Sequence, residues 1–392
     1  MGRTADVAVI GGGVIGASIA YRLAKAGKKV VLCERYDLTA GATGACDQMV
    51  ILQSKNPGIH LRLALDSAAM FQDLSRELDY PIEYFRHGGM ITIENEMEMG
   101  VMTDFVARQK KIGLEVEIIS RADAAKRQRG LADHLLGCTF SRQDGHVNPF
   151  KLTLGFAKAA KALGAEILID AEVTGFKEEG GKIKGIKTAK GDVDAEVTVL
   201  AAGAWSPLVA AQVGLTLPIK PRRGQIIITE PGPPYVVGGI LSAQYIVAKY
   251  HPETLRDAKS RGVQLGVGLA LSQTAKGDIL IGATREFVDY EVSNTREGIR
   301  EILKNAARLM PGLKKMNVIR IMGGSRPYTP DGLPLIGFPK GREGLFLAAG
   351  HEGDGIALSA ITGRIVADLL TEGKTYTDIS PLDPNRFPLI AS

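Results

Sequence analysis

The sequence predicts an α/β fold in which Rossmann-like segments alternate along the chain with segments of antiparallel β-sheet. Near the N-terminus a short apolar run, a glycine-rich turn and a helix-forming stretch follow one another, which is the order of a strand–turn–helix unit. Similar segments return in the middle of the chain and close to its C-terminal end. Between them lie stretches of alternating polarity, which are typical of antiparallel strands. This interleaving predicts a discontinuous two-domain protein.

A glycine fingerprint follows the first predicted strand. Gly11, Gly13 and Gly16 have Gly-x-Gly-x-x-Gly spacing, which permits a tight turn, a close approach of the backbone to a pyrophosphate and close packing of the helix predicted over 17–26. The next predicted strand ends at Glu34, which can accept hydrogen bonds from both hydroxyls of an adenosine ribose and disfavours a 2′-phosphate. The segment therefore predicts an adenine dinucleotide other than NADP, and it leaves NAD and FAD open.

The composition excludes several classes of protein. A chain of 392 residues with 45% apolar and 23% charged residues suits a globular protein of about two domains. Its net charge of +5 is spread in short basic clusters, which does not indicate nucleic-acid binding. The three cysteines are widely spaced and predict neither disulfides nor a metal site. No segment has the roughly 20 apolar residues that span a bilayer. We therefore expect a cytoplasmic protein, peripheral to a membrane only through a partner.

The remaining elements follow from apolar spacing and from glycine and proline positions. We expect helices over 61–78, 101–112, 120–128, 150–163, 295–309 and 356–370. We expect strands beginning at 88 and over 164–169, 195–201, 225–229, 245–249, 278–284 and 345–349, and a hairpin over 173–193. Residues 144–149 are predicted to form a turn, and the polar stretch 251–261 an exposed excursion.

Four landmarks, in this order, make the chain resemble the D-amino-acid oxidase superfamily of FAD enzymes. They are the N-terminal fingerprint with Glu34, residues 144–149, residues 199–205, and the paired C-terminal segments 323–337 and 350–356. The chain is most similar to the branch that holds glycine oxidase, sarcosine oxidase, hydrogen cyanide synthase and the β-subunit of proline dehydrogenase. The resemblance implies oxidation of an amine or amino acid by hydride transfer to flavin N5, giving an imine that water hydrolyses.

The resemblance also implies the architecture. A Rossmann-like FAD-binding domain of the glutathione-reductase type, formed by residues 1–86, 143–218 and 317–392, is expected to be interleaved with an antiparallel-β substrate domain, formed by residues 87–142 and 219–316. FAD is expected to be bound non-covalently. The covalent cysteine of some sarcosine oxidases lies in the C-terminal region, and this chain has no cysteine after position 138.

The predicted cofactor-binding residues lie in turns and at the ends of strands. They are Gly11, Gly13, Val14, Ile15, Gly16, Glu34, Arg35, Thr43, Gly44, Ala45, Val173, Ala202, Gly203, Trp205, Arg326, Gly350, Gly353, Asp354, Gly355 and Ile356. The resemblance implies that Val173 binds the adenine through its backbone and that loop 41–48 and Gly203 lie against the ribityl and ring system. The helix that the 350–355 turn opens can stabilise negative charge on the reduced flavin.

Two residues are predicted to bind the substrate. The resemblance implies that Arg326 pairs with the substrate carboxylate, onto which a guanidinium donates two parallel hydrogen bonds; a structural ion pair with Asp331 is the alternative. It implies that Tyr245 donates a hydrogen bond to the substrate, although a tyrosine in a strand is as often part of the core. His351 is expected to make a local hydrogen bond, because hydride transfer needs an oriented neutral amine more than a protein base.

The C-terminal turn departs from the family pattern. Glycine oxidases of this branch have a second arginine where this chain has Gly353, and two acids, Glu352 and Asp354, flank that position. Glycine is therefore doubtful as the substrate. One hypothesis is that Asp354 or Glu352 favours a cationic or secondary amine, or contacts a partner. The alternative is that both acids complement the helix N-terminus.

The sequence leaves the electron acceptor open among oxygen, a quinone and a partner subunit. The chain could act alone, as a homo-oligomer, or as the catalytic β-subunit of a hetero-oligomer that passes electrons to a partner. Two weaker alternatives are an FAD-binding electron-transfer module without turnover and an NAD-dependent dehydrogenase. Arg326 and the large β-rich segment argue against the electron-transfer module.

Overall fold

The computed structural model describes residues 2–250 and 259–389. Its helices are α1 (Val14–Lys25), α2 (Ile59–Glu77), α3 (Glu96–Ile112), α4 (Arg121–Arg127), α5 (Pro149–Ala162), α6 (Ser206–Ala211), α7 (Ala243–Tyr250), α8 (Arg261–Gln264), α9 (Arg296–Leu309) and α10 (Gly355–Glu372). Its strands are β1 (Arg3–Ile10), β2 (Val30–Cys33), β3 (Met49–Val50), β4 (Tyr84–Phe85), β5 (Gly89–Ile93), β6 (Glu117–Ser120), β7 (Gly137–Ser141), β8 (Gly145–Val147), β9 (Glu166–Leu168), β10 (Val173–Glu179), β11 (Lys182–Thr188), β12 (Val193–Leu200), β13 (Lys220–Thr229), β14 (Gly239–Ser242), β15 (Ala270–Gln273), β16 (Ile279–Gly282), β17 (Val318–Tyr328), β18 (Leu335–Gly337) and β19 (Leu345–Ala349).

The first sheet has a parallel core. Strands β9, β2, β1, β12 and β19 are neighbours in that order and run parallel, while β18 pairs antiparallel with β19. The hairpin of β10 and β11 extends the sheet beside the beginning of β12. Helices α1, α2, α5 and α10 cover one face with a continuous apolar cluster. In such sheets ligands bind beyond the carboxyl ends of the parallel strands.

The N-termini of α1 and α10 lie side by side at that edge. Ser18 of α1 donates through Oγ to the carbonyl oxygen of Ser359 in α10 over 2.8 Å, and each serine is four residues beyond the first residue of its helix, Val14 or Gly355. The helices approach so closely that a Cβ at Gly363 would overlap Ser18. Two positive helix ends therefore converge at one place.

The second sheet is mainly antiparallel. Its order is β17-β13-β16-β15-β14-β5-β7-β6, with one parallel pair between β14 and β5. Strands β3, β8 and β4 form a small third sheet. The mixed α/β fold that the sequence predicts is confirmed. The domain boundaries stay a prediction, and the boundary at 317 places β17 with the first domain although β17 pairs with β13 of the second sheet.

Some predicted elements need correction. The predicted strand over 245–249 is wrong, because these residues belong to α7. Buried Tyr245, Ile246, Ala248 and Lys249 have the i, i+1, i+3, i+4 spacing of a helix face, which β-branched residues disguised. The predicted turn over 144–149 includes β8, and the predicted excursion falls mostly outside the described residues.

Among the helices of the described residues, none is both long and apolar enough to cross a membrane.

Candidate active site

The predicted fingerprint forms a tight turn between β1 and α1. Gly11 has a φ of +113°, and a Cβ at Gly16 would overlap the carbonyl oxygen of Gly11. The backbone N–H of Val14 donates to Oγ1 of Thr43 over 3.1 Å, and Gly13 approaches the same hydroxyl so closely that a Cβ would lie 3.2 Å from it. Only glycine fits two of these positions, so the helix N-terminus stays accessible to a negatively charged group.

The acid after β2 is fixed by the same turn. Each carboxylate oxygen of Glu34 accepts one backbone hydrogen bond, from Gly12 over 2.6 Å and from Tyr36 over 2.9 Å. Because a carboxylate oxygen can accept more than one hydrogen bond, both oxygens can still bind a ribose hydroxyl. Arg35 lies beside this acid, with its Cζ 4.5 Å from the Tyr36 ring centroid and 5.3 Å from that of Trp205.

The other predicted cofactor segments lie near this turn or near β17. Ala201, just before Ala202 and Gly203, is so close to Gly11 that a Cβ on Gly11 would lie 2.5 Å from its carbonyl oxygen. Thr43, Gly44 and Ala45 form a short 3₁₀ turn. Val173 begins β10, beside Ala171, whose N–H donates to the Glu34 carbonyl oxygen over 2.8 Å.

Arg326 is held between β17 and the turn that precedes α10. Its Nη1 donates to the carbonyl oxygen of Thr284 over 3.1 Å, and a Cβ at Gly353 would lie 3.5 Å from its Nε. In the described parts of the chain no carboxylate pairs with Arg326, and Asp331 instead pairs with Arg386 over 2.7 Å. The alternative of a structural Arg326–Asp331 pair is therefore wrong, and the half-buried guanidinium remains available to an anion.

Asp354 lies in a buried network of opposite charges. Its carboxylate contacts the ammonium groups of Lys55 and Lys249 over 2.8 Å and 2.6 Å, and Nε2 of His60 over 3.2 Å. Burial opposes ionisation of this carboxyl, but Lys249 and Lys55 outweigh it and hold its pKa well below the usual value. The negative charge of Asp354 is therefore largely neutralised by two lysines. Because only 3% of this residue is exposed, its carboxylate cannot contact a partner protein.

Glu352 is paired in a similar way. Its Oε1 accepts a hydrogen bond from the fully buried Arg222, and its Oε2 accepts one from the N–H of Gly353. Burial raises the pKa of this carboxyl, yet the attraction of Arg222, Lys249 and Arg326 lowers it to about 2. Neither acid is a simple complement of the helix N-terminus, since Asp354 makes no capping hydrogen bond and Glu352 binds an arginine.

His351 and Cys46 are not reactive in this setting. His351 is fully surrounded, its Nε2 lies 3.1 Å from Oγ1 of Thr362, and burial lowers its pKa to about 3. The predicted local hydrogen bond is therefore confirmed, and the ring is neutral. Burial raises the pKa of the Cys46 thiol to about 12, so the nucleophilic thiolate does not form.

Sequence reasoning missed a second arginine at this site. Arg285 follows β16, is 5% exposed and lies with its Cζ 3.8 Å from the ring centroid of Tyr245. The ring of Tyr245 therefore stacks against Arg285, and this residue lies on a helix and not on a strand; its hydrogen bond to the substrate stays a prediction. A charged residue directly after a buried apolar strand was the available signal. Lys55 and Lys249 were missed because only the folded chain brings them to Asp354.

Residues 6–369 match the family model described as FAD dependent oxidoreductase, DAO. The chain belongs to this family. Hydrogen cyanide synthase subunit HcnC of Pseudomonas aeruginosa is 30% identical, over 99% of this chain and 97% of the relative. Glycine oxidase of Geobacillus kaustophilus is 30% identical over 97% of each chain. The solved structure of L-proline dehydrogenase from P. horikoshii is 28% identical, with a TM-score of 0.88 over 98% of each chain.

The family assignment confirms the predicted enzyme class. The chain is an FAD-dependent oxidoreductase. Glycine oxidase and L-proline dehydrogenase, as their names state, act on amino acids, which agrees with the predicted oxidation of an amine or amino acid. The expected cofactor, FAD, is likewise confirmed.

The residues of this DAO-family chain fit FAD. The Gly11–Gly16 turn leaves room for a pyrophosphate where a Cβ would intrude, and Glu34 has acceptor sites for the ribose. The adjacent N-termini of α1 and α10 suit a ligand with negative charge at two places, the pyrophosphate and the reduced ring. Ala45 lies against β17 so closely that a Cβ at Gly324 would be 2.6 Å from its methyl group. The loop that would border the ring therefore lies near Arg326.

Proposed function

We propose that this enzyme oxidises the C–N bond of an amino acid or N-alkyl amino acid whose carboxylate is bound by Arg326. The observation that carries the proposal is a half-buried guanidinium, in the described chain without a carboxylate partner, beside the turn that opens α10. A guanidinium binds a carboxylate through two parallel hydrogen bonds, which orient as well as attract it. An amine bonded to the next carbon would then have a defined position.

In this proposal the protein binds and orients the substrate. FAD, when bound, supplies the acceptor for the hydride that leaves the α-carbon. The amine loses a proton as its C–N bond becomes an imine, which water hydrolyses to an oxo acid and ammonia or an amine. Arg326 and Arg285 favour the neutral amine, because nearby positive charge disfavours a protonated one.

Asp354 has an indirect role in this proposal. Its carboxylate is already shared by Lys55 and Lys249, so it holds these two lysines and does not bind a cationic amine. The proposal therefore favours a zwitterionic or anionic substrate over the cationic amine that was one part of the hypothesis for Asp354 and Glu352. In a substrate panel, Asp354→Asn should still oxidise amino acids with neutral side chains faster than those with cationic side chains. A reversal of that order would show that Asp354 selects the charge of the substrate.

An anaerobic flavin-reduction screen tests the proposal. The screen should cover glycine, sarcosine, both enantiomers of proline, hydroxyproline and cationic amino acids. We expect Arg326→Ala to keep its FAD and to lose about 10²-fold or more in reduction rate at low substrate, because two hydrogen bonds to a charged group are lost. Arg320→Ala, an exposed arginine on the same strand, is the matched control. Normal reduction by Arg326→Ala would overturn the proposal.

A second candidate is a catalytic subunit that passes electrons to a partner chain. The relative from Pseudomonas aeruginosa is named as a subunit, which supports this possibility. Gel filtration of the chain alone and after co-expression with the products of neighbouring genes tests it. Co-elution with faster turnover of an artificial electron acceptor would favour the subunit, and a lone chain that consumes oxygen at full rate would exclude it.

A further inference from the structure

Arg285 is a buried cation that has no counter-ion within residues 2–250 and 259–389. In the described chain its Nε, Nη1 and Nη2 atoms are all buried and have no hydrogen-bond partner. Burial lowers its pKa to about 10, so the guanidinium remains charged near neutral pH. A buried charge that is neither paired nor hydrogen-bonded is strongly unfavourable. Its retention is explained if a ligand supplies the missing anion.

The position of Arg285 relates it directly to Arg326. The carbonyl oxygen that accepts from Nη1 of Arg326 belongs to Thr284, the residue before Arg285. Both guanidinium groups attract the carboxylate of Asp47, and each acts on the other electrostatically. The ring of Tyr245 lies against Arg285, and a Cβ at Gly266 would lie 2.8 Å from the Cβ of Arg285. Packing therefore fixes this side chain near Arg326.

Three of the nearby acids already pair with other cations. Glu352 pairs with Arg222, Asp354 with two lysines, and Glu286 with Arg223 over 2.7 Å. Asp47 is not within ion-pair distance of any described cation, and burial raises the pKa of its carboxyl. Arg285 and Arg326 thus remain as a surplus of positive charge among the described residues.

We infer that Arg285, in the segment after β16, is the second arm of the substrate carboxylate site. Resting on the proposed function, the inference adds hydrogen bonds from Arg285 to the carboxylate that Arg326 binds. The ligand class is a small organic monocarboxylate whose carboxylate is free and next to the reacting carbon. Tyr245 acts as a positioning residue, because its ring packs against the guanidinium with the Arg285 Cζ 3.8 Å from its centroid.

Calorimetric titration of the purified holoenzyme with acetate and with pyrrole-2-carboxylate tests this inference without turnover. We expect Arg285→Met to weaken binding of both by at least about tenfold, and Arg326→Met to do likewise, since each loses hydrogen bonds to a charged group. Arg223→Met is the matched control, because it removes a buried arginine of the same sheet that is already paired; its affinity should match the wild type.

A thermal unfolding measurement separates ligand binding from a structural role. Without carboxylate, the Arg285→Met holoenzyme should unfold at a higher temperature than the wild type, because an unpaired buried charge is removed. Arg223→Met should unfold at a lower temperature. Destabilisation by Arg285→Met together with unchanged acetate affinity would make Arg285 structural and overturn the inference.

The remaining outcomes distinguish the two proposals. Unchanged acetate affinity in Arg285→Met, with loss of binding in Arg326→Met, would overturn this inference and leave the proposed function intact. Unchanged affinity in both variants, or no binding of either carboxylate to the wild type, would overturn both. A flavin spectrum or potential that shifts in Arg285→Met while acetate affinity stays the same would assign Arg285 to the cofactor and also overturn the inference.

Discussion

At the scale of single residues, the site is organised by which charges are paired. Arg222, Lys55 and Lys249 have carboxylate partners, whereas Arg285 and Arg326 have none in the described chain. A paired buried ion contributes structure, because removing one partner leaves the other charge without compensation. An unpaired one, such as Arg285, keeps buried hydrogen-bond donors unsatisfied, and an anionic ligand would satisfy them. The two groups of cations should therefore respond to mutation in opposite ways.

Glu352→Gln tests the structural group. The substitution leaves the fully buried Arg222 without a counter-charge, and we expect a loss of about 3 kcal/mol in unfolding free energy, the low end for a buried pair because the amide oxygen still accepts a hydrogen bond. Urea unfolding at neutral pH with matched FAD concentration measures it. Asp73→Asn, which breaks an exposed pair with Arg76, is the control and should change stability by less than about 0.5 kcal/mol.

The same variant has a defined pH dependence. The folded-state pKa of Glu352 is depressed to about 2, below its unfolded value of about 4.3. Its contribution to stability is therefore complete above the unfolded pKa and lost as pH falls toward the folded one. The difference in unfolding free energy between wild type and Glu352→Gln should shrink across that interval. A difference that grows with acidification would contradict the assigned ion pair.

Two substitutions at Tyr245 distinguish the contribution of its ring from that of its hydroxyl group. If its ring positions Arg285, Tyr245→Phe should keep acetate affinity within about threefold, while Tyr245→Leu should lose about thirtyfold, because a desolvated cation–π contact is worth about 2 kcal/mol. Calorimetric titration of the holoenzymes compares them. Equal losses in both variants would assign the effect to the hydroxyl, the role expected from sequence.

At the scale of elements, the sequence predicted those turns and helices whose formation depends on neighbouring residues in the chain. The turn at Gly11–Gly16 and the helix over 295–309 follow from short-range spacing, and both are present with shifts of a few residues. The helix α7 was missed because its short run of β-branched and aromatic residues favours a strand, although Ser242 caps the helix by accepting a hydrogen bond from the Tyr245 N–H over 3.3 Å. Arg285 was missed because an ion's lack of a partner depends on every neighbour, and those neighbours come from distant segments.

The first turn of α1 offers a test at this scale. A Cβ at Gly16 would overlap the Gly11 carbonyl oxygen, so Gly16→Ala must push the helix N-terminus away from β1. We expect a purified protein that holds little FAD, measured by its absorbance in the visible range. Gly100→Ala is the matched helical control, because a Cβ there meets nothing within 4 Å; it should keep FAD and gain up to about 1 kcal/mol. Full FAD content in Gly16→Ala would contradict the assigned turn.

At the scale of the whole molecule, the site exists only where both large sheets meet. Arg326 and Arg285 come from the second sheet, the α10 turn from the first, and Lys249 of α7 contacts Asp354 at the start of α10. The order of landmarks along the chain was enough to predict the fold and the cofactor. It was not enough to predict the substrate, because substrate recognition depends on the charge balance at the junction of separate segments.

The charge balance of the site predicts which substrates the enzyme prefers. A site with two uncompensated guanidinium groups should favour an amine that has a carboxylate, and L-proline should be oxidised with a kcat/KM at least about 10²-fold above that of pyrrolidine, since pyrrolidine leaves both arginines unsatisfied. Lysine should be poorer than norvaline, because its ammonium adds positive charge to a positive site. Anaerobic reduction with these matched pairs measures the preference. If pyrrolidine reduces the flavin as well as proline does, the carboxylate site is not where substrate is selected.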